Sequence, residues 1–213
     1  MNPVWKDLLA RYPQLEVCVD SIEQAFDLLV ATFERGGKLL LCGNGGSASD
    51  SAHIVGELMK GFLQKRPLPS ALRQSMKERN PGLPEPILNQ LQGALPAIDL
   101  GESLALGSAF GNDVNPEYVF AQQVLGLGRE DDALIGISTS GNATNVVAAM
   151  QVAKGIGMRT VALTGRDGGQ IARIADVAIV VPSRETFQIQ ELHLPIYHAL
   201  CIALETRFFG CGG

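Results

Sequence analysis

Four side chains in two distant segments have the types and the spacing to do chemistry. His53 and Glu57 stand at i and i+4, on one face of a predicted helix. Gln190 and His198 stand eight residues apart, a turn of about 80° on a helix, so both can look into one cleft. His193 lies about 140° from His198 on the same count. It reads as a polar residue that bonds a neighbour or lines a subunit contact. Pro195, inside this segment, predicts a kink. These are all three histidines of the chain. A carboxylate and an imidazole together suit proton transfer, in which a base takes the proton beside a carbonyl and an acid moves a proton between the oxygens. His and Glu at i, i+4 with a further His also have the composition of a divalent metal site. The plain alternative for His53 and Glu57 is a solvated or structural helix pair.

Two glycine–serine turns offer a place for an anion. Gly43-Asn44-Gly45-Gly46-Ser47 follows the apolar run 38–42, and Ser138-Thr139-Ser140-Gly141-Asn142 follows the run 133–137. Glycine lets backbone N–H groups approach a ligand closely, and the helix that follows brings unpaired donors and partial positive charge. With the hydroxyls of Ser138, Thr139 and Ser140 they form a phosphate cradle without a lysine. Serine N-caps on ordinary strand-to-helix turns are the alternative. There is no G-x-x-x-x-G-K-[ST], and the first turn lacks the spaced third glycine of the dinucleotide fingerprint. The chemistry favours a phosphate on a small molecule over a nucleotide.

The elements that position these groups follow from apolar spacing. A helix is predicted over 16–36, closed by Gly36 and Gly37, then a buried strand over 38–42 and a helix over 48–62. Residues 66–98 are proline-rich and read as an insertion with short helices at Ser70–Glu78 and Pro86–Leu91. A helix over 116–125 starts at Pro116. Strands at 133–138, 160–165 and 177–181 alternate with a helix over Ala143–Gly155, and a last helix covers about 186–208. This alternation predicts a parallel sheet covered on both faces. Ligands of such folds bind at the carboxyl ends of the strands, where both turns lie. No repeat or linker divides the chain, so it reads as a single domain over 1–213 with an insertion at about 68–94.

The 213 residues are 46% hydrophobic and carry a formal charge of −5, which argues against general attraction to nucleic acid or an anionic membrane. No segment approaches the ~20 apolar residues of a membrane span. Cys18, Cys42, Cys201 and Cys211 show no paired spacing and read as buried thiols in a reducing compartment. The N-terminal stretch has no secretory pattern. A cytoplasmic protein is expected.

The stretches CGNGGSASDSAH (42–53), GEL (56–58), GND (111–113), GISTSGNATNVV (136–147), ALTGRDGG (162–169) and IQELH with the later His198 resemble, in this order, the SIS (sugar isomerase) domain family. Within it the chain resembles the phosphoheptose isomerase subgroup, over nearly its whole length except 68–94. The resemblance implies an α/β, flavodoxin-like three-layer sandwich with a central parallel sheet, a long N-terminal helix and a helical insertion. It implies a homotetramer with active sites at subunit interfaces. The implied activity is aldose–ketose isomerisation of a sugar phosphate, sedoheptulose 7-phosphate to glycero-manno-heptose 7-phosphate, through an enediol. One zinc ion per site would be held by His53, Glu57, Gln190 and His198, with Glu57 and His198 as the acid–base pair. Ser47, Ser138, Thr139 and Ser140 would hold the phosphate, and Asn44 and Asp113 would contact the sugar. Gly45, Gly46, Asn112, Asn142 and Gln190 complete the implied substrate-binding set.

The chain departs from the family pattern in places. Ala143, followed by Thr144, stands where a serine is usual. Met59-Lys60-Gly61 lacks the usual arginine, and Gln188 replaces a common basic residue. A non-enzymatic branch of the family, which binds the replication initiator as a tetrameric scaffold, lacks the His and Glu after the glycine turn. Sugar-phosphate sensing without turnover is a further alternative. The presence of His53, Glu57, Gln190 and His198 favours the enzyme.

Overall fold

A computed structural model describes residues 2–210. Helix α1 covers Pro3–Arg11, a 3-10 turn Pro13–Cys18, and α2 Val19–Glu34. Strand β1 (Leu39–Gly43) leads into α3 (Gly46–Met59), followed by α4 (Ser70–Arg79) and α5 (Glu85–Gln90). Next come β2 (Ala97–Asp99), α6 (Leu104–Asp113) and α7 (Val119–Leu127). The chain then runs through β3 (Ala133–Ser138), α8 (Thr144–Gly155), β4 (Arg159–Thr164), α9 (Gly169–Ile174), β5 (Val177–Val180) and α10 (Thr186–Phe209).

Every residue of β1 and β3 is buried, as expected of strands covered on both sides. Strand side chains alternate between faces. Leu39 and Leu41 therefore join a core with Trp5, Ile22, Ile54 and Leu200, while Leu40 and Cys42 join one with Val124, Met150 and Ile171. Helices α1, α2, α3 and α10 thus line one face, and α7, α8 and α9 the other. The five strands are all parallel in the order β2-β1-β3-β4-β5, which is the flavodoxin-like arrangement. Adjacent strands β1 and β3 send α3 and α8 to opposite faces, so a crevice opens at their carboxyl ends, Gly43 and Ser138. Both glycine–serine turns border it.

The structure corrects several predicted boundaries. The helix expected over 16–36 begins at Val19, because Tyr12 before Pro13 is pushed out of helical geometry and a 3-10 turn intervenes. Helix α3 spans 46–59 rather than 48–62, and Lys60 is extended. A 3-10 turn covers Pro116–Tyr118 and α7 starts only at Val119. Helices α4 and α5 lie within one residue of expectation, and α4 buries no residue. Strand β2 and helices α1, α6 and α9 are additional elements. Cys18, Cys42 and Cys201 are buried free thiols; Cys211 lies outside the described residues. Among the described residues, no helix is long and apolar enough to cross a membrane.

Candidate active site

The glycine turns present backbone to the crevice because little side chain stands in the way. Gly45 has φ +56° and Gly141 φ +67°. At Gly141 a Cβ would meet the Gly168 carbonyl oxygen at 2.0 Å, so only glycine lets the turn after β3 pack on the turn before α9. The N-cap residues of α3 and α8, Gly45 and Ala143, offer no side-chain acceptor. A cavity of about 320 Å³ lined by Asn44, Pro116, Glu117 and Ala143–Asn145 opens beside these helix starts. The two turns are joined by reciprocal amide bonds between Asn44 and Asn145, of 2.8 and 2.9 Å. Asn142 is likewise committed to the framework. Its Nδ2 donates to Ser140 O (2.9 Å), and its Oδ1 accepts from Gln170 N (3.1 Å). Ser47 and Ser138 are buried, and Thr139 and Ser140 half-buried.

At the other end of α3 the ionisable residues converge. His53 Nε2 lies 3.2 Å from Glu57 Oε1 and 3.4 Å from His198 Nε2. Glu57 Oε2 accepts from Lys60 Nζ at 3.0 Å. His53 and His198 stack edge to face, 4.9 Å between centroids, and Phe62 closes over His198 at 5.4 Å. Burial, helped by the charge of His53, pushes the His198 imidazole below its usual range, while Glu57 pulls it back.

Gln190 points at the start of α3: a Cβ on Gly46 would fall 2.4 Å from its Nε2. It thus bridges the glycine turn and the helix that carries His198. His193 faces the opposite way. It is fully buried, with Nε2 3.3 Å from Thr164 O and Nδ1 unpartnered. Asn112 and Asp113 are exposed at the end of α6 and hydrogen-bond to each other at 2.8 Å. The structure brings neither into contact with the other candidate residues.

Two chain segments hold this centre in place. Arg66 and Glu205 form a fully buried ion pair at 2.8 Å. Arg66 also donates to the carbonyls of Leu58 and Glu57 at the end of α3, and Glu205 accepts from the N–H groups of Phe62, Leu63 and Gln64. This clamp explains why α3 stops at Met59, and it ties the Glu57 end of α3 to α10. On the other side, the Tyr197 hydroxyl lies 3.2 Å from Asp50 Oδ1 and 3.1 Å from His53 Nδ1. A larger cavity, about 560 Å³, opens between residues 61–67 and 89–92, and Phe62, which covers His198, is part of its lining.

For a metal, two imidazoles and a carboxylate converge with apt chemistry, while the Gln190 amide lies at the start of α3 beside Gly46 and is not in contact with them. Two donors on one tetrahedral zinc stand about 3.3 Å apart, given Zn–N bonds of about 2.0–2.1 Å. The 3.2 and 3.4 Å separations around His53 Nε2 match such edges. Among the described residues, no three His, Cys, Asp or Glu form a ready metal cluster, and Glu57 has one oxygen on Lys60.

A doubly wound parallel sheet with two glycine–serine turns at its switch point and a His–Glu–His centre on the helix that leaves one of them defines the class as an α/β protein with a polar crevice at the carboxyl ends of its strands. Comparison with known proteins narrows the class. Two family models, both described as SIS domain, match residues 7–93 and 103–203. A phosphoheptose isomerase of Helicobacter pylori (strain P12) is 38% identical over 209 residues, covering 96% of this chain and 95% of that protein. The solved phosphoheptose isomerase of Neisseria gonorrhoeae has TM-score 0.74 and 33% identity, with 95% of each chain covered. That of Francisella tularensis has TM-score 0.76 and 31% identity, covering 94% of this chain and 93% of that one. The chain belongs to the SIS domain family, in its phosphoheptose isomerase group.

Asp50, Tyr197, Arg66, Glu205 and Asn145 were not singled out by sequence reasoning. Lys60 was noted only for the arginine it does not supply. For Asp50 a faint signal existed, since it precedes His53 by one helical turn. Tyr197, Arg66 and Glu205 act across elements and leave no local pattern.

Proposed function

We propose that this chain is an aldose–ketose isomerase that converts sedoheptulose 7-phosphate to glycero-manno-heptose 7-phosphate through an enediol. The observation that carries the reading is the meeting of His53 and Glu57, on the helix that leaves the glycine turn, with His198 of α10. In this reading the phosphate sits on the two turns, held by first-turn N–H groups of α3 and α8 and the hydroxyls of Ser47, Ser138, Thr139 and Ser140. From Gly46 to His53 α3 rises about 10 Å, which separates the phosphate end of an extended sugar from its reacting end. Glu57 takes the proton from the carbon beside the carbonyl, and His198 moves a proton between the two oxygens. The Lys60 ammonium, 3.0 Å from Glu57, puts positive charge where the family arginine is missing and favours the developing enediolate. His53, Glu57, Gln190 and His198 would hold zinc, which when bound supplies Lewis-acid polarisation of the carbonyl.

The same reading includes a homotetramer and a cytoplasmic location. Supporting assembly, α6 buries no residue although it is apolar, and Leu104 (83% exposed), Val114 and Leu125 face outward along α6 and α7. The test is a panel of C5–C7 ketose phosphates offered to the zinc-loaded protein. Turnover of the heptulose phosphate is expected, and Glu57→Gln should abolish it while phosphate-ligand binding persists. Full activity in Glu57→Gln would remove that residue as the base. No turnover of any ketose phosphate would leave the scaffold reading in its place.

A further inference from the structure

The starts of α3 and α8 both border the crevice, but the two helices then leave to opposite faces of the sheet, Ile54 into one core and Met150 into the other. Beyond the β1–β3 ladder, the side-chain hydrogen bonds that join their turns, among the described residues, are the two between Asn44 and Asn145. Each asparagine is also tied to its own helix start. The Asn44 carbonyl accepts from Ser47 N at 3.0 Å, and Asn145 Oδ1 accepts from Val146 N at 3.0 Å. The latter bond fixes the orientation of the pair. A backbone N–H can only donate, so the Asn145 atom beside Val146 N is the oxygen. That oxygen spends its second lone pair on Asn44 Nδ2, and Asn145 Nδ2 donates to Asn44 Oδ1. A flipped Asn44 would set oxygen against oxygen and NH₂ against NH₂. Each amide keeps one further N–H, and both side chains line the cavity of about 320 Å³ with Thr144 and Glu117.

We propose that Asn145 is a positioning residue: it latches the Asn44 amide in one orientation and holds the turn that carries Ser47 at a set distance from the start of α8, for one sugar phosphate that spans both. This rests on the phosphate placement of the isomerase reading above. The remaining N–H of Asn44 then meets a substrate oxygen without the cost of ordering the side chain on binding. The start of α3 lies about 10 Å along the helix from His53, so the latch acts on how tightly the substrate is held rather than on the proton transfers.

The test is a double-mutant cycle of Asn44→Ala and Asn145→Ala. It is read as the affinity for sedoheptulose 7-phosphate by calorimetry on zinc-free protein, and as KM and kcat of the zinc-loaded protein. Alone, Asn145→Ala should weaken binding and raise KM about tenfold, with kcat falling far less. In the Asn44→Ala background the same substitution should have little further effect, because a residue that acts through Asn44 has nothing left to position. A merely structural asparagine would cost the same factor in both backgrounds and lower the unfolding midpoint. Equal factors, or unchanged affinity and KM in Asn145→Ala, overturn the proposal, as does a wild type that neither binds nor turns over the sugar phosphate. If Asn145→Ala does not fold, Asn145→Asp decides. It keeps the acceptor for Val146 N but loses the donor to Asn44 Oδ1, so its penalty should be larger in the wild type than in Asn44→Ala. Coupled binding without turnover counts against the isomerase reading alone, and turnover with an additive cycle against the latch alone.

Discussion

Glu205→Gln removes one charge and almost no volume from a place where every acceptor is in use. Oε1 accepts from Phe62 N (2.7 Å) and Arg66 Nε (2.8 Å), and Oε2 from Leu63 N (2.8 Å) and Gln64 N (3.1 Å). Burial alone would raise this carboxyl, but the hydrogen bonds from Phe62, Leu63 and Arg66 outweigh it and hold the group below its ordinary range. In the glutamine variant one oxygen becomes an NH₂ that meets two donors, and Arg66 keeps a buried charge without a counter-ion. Removing one partner from a buried pair costs about 3–5 kcal/mol. For a chain of 213 residues that lowers Tm by roughly 6–20 °C. Apolar replacement of both partners would not be neutral here, because the N–H groups of residues 62–64 and the Glu57 carbonyl would lose their bonds. Since the clamp fixes the end of α3 against α10, turnover should fall together with stability. Urea unfolding of the zinc-free protein measures the first effect and isomerase assay the second. A loss below about 1 kcal/mol, the size of an exposed pair, would refute the reasoning.

Three further outcomes follow from particular contacts. Burial holds the His193 imidazole down at about 4, against the raising effect of the Thr164 carbonyl. Below pH 6.5 the unfolded chain takes up a proton that the native state refuses, so stability should fall by about 3 kcal/mol as pH drops from 6.5 to about 4. His193→Gln should remove that part of the acid sensitivity; equal pH slopes by urea unfolding would contradict this. Gly46→Ala places a methyl 2.4 Å from Gln190 Nε2 and should weaken zinc(II) or sugar-phosphate binding about tenfold with little change in Tm. Unaltered affinity by calorimetry would show that Gln190 is not part of the site. Gly141→Ala, at φ +67° and against the Gly168 carbonyl, should cost at least about 1–3 kcal/mol, read by thermal unfolding, and release the turn after β3.

Much of this was legible in the sequence where the cause is local. The runs LLLC (39–42) and ALIGI (133–137) carry no charged or hydroxyl side chain because both faces of β1 and β3 are covered, and the glycine–serine turns sit directly after them. Helices α4 and α5 were bounded by their prolines. Strand β2 escaped notice because it is three residues long and follows Pro96. Helix α6 has no apolar period because it buries nothing within the chain. The early end of α3 depends on Arg66 and Glu205, 139 residues apart. The choice of His198 over His193 came from resemblance, and the structure shows its physical side: His193 points into the core against Thr164, while His198 meets His53. Periodicity does not reveal what a helix face will touch, and so Asp50 and Tyr197 went unnoticed beside residues that did attract attention.

The central claim is that Glu57 and His198 move protons on a bound ketose phosphate. The most direct measurement is NMR of the products formed from sedoheptulose 7-phosphate in D₂O by the wild type and by Glu57→Gln. The account predicts an aldose phosphate carrying solvent deuterium at C2 with the wild type, and no product with the variant. An aldose that keeps only substrate hydrogen at that carbon, or equal deuteration by Glu57→Gln, would contradict it.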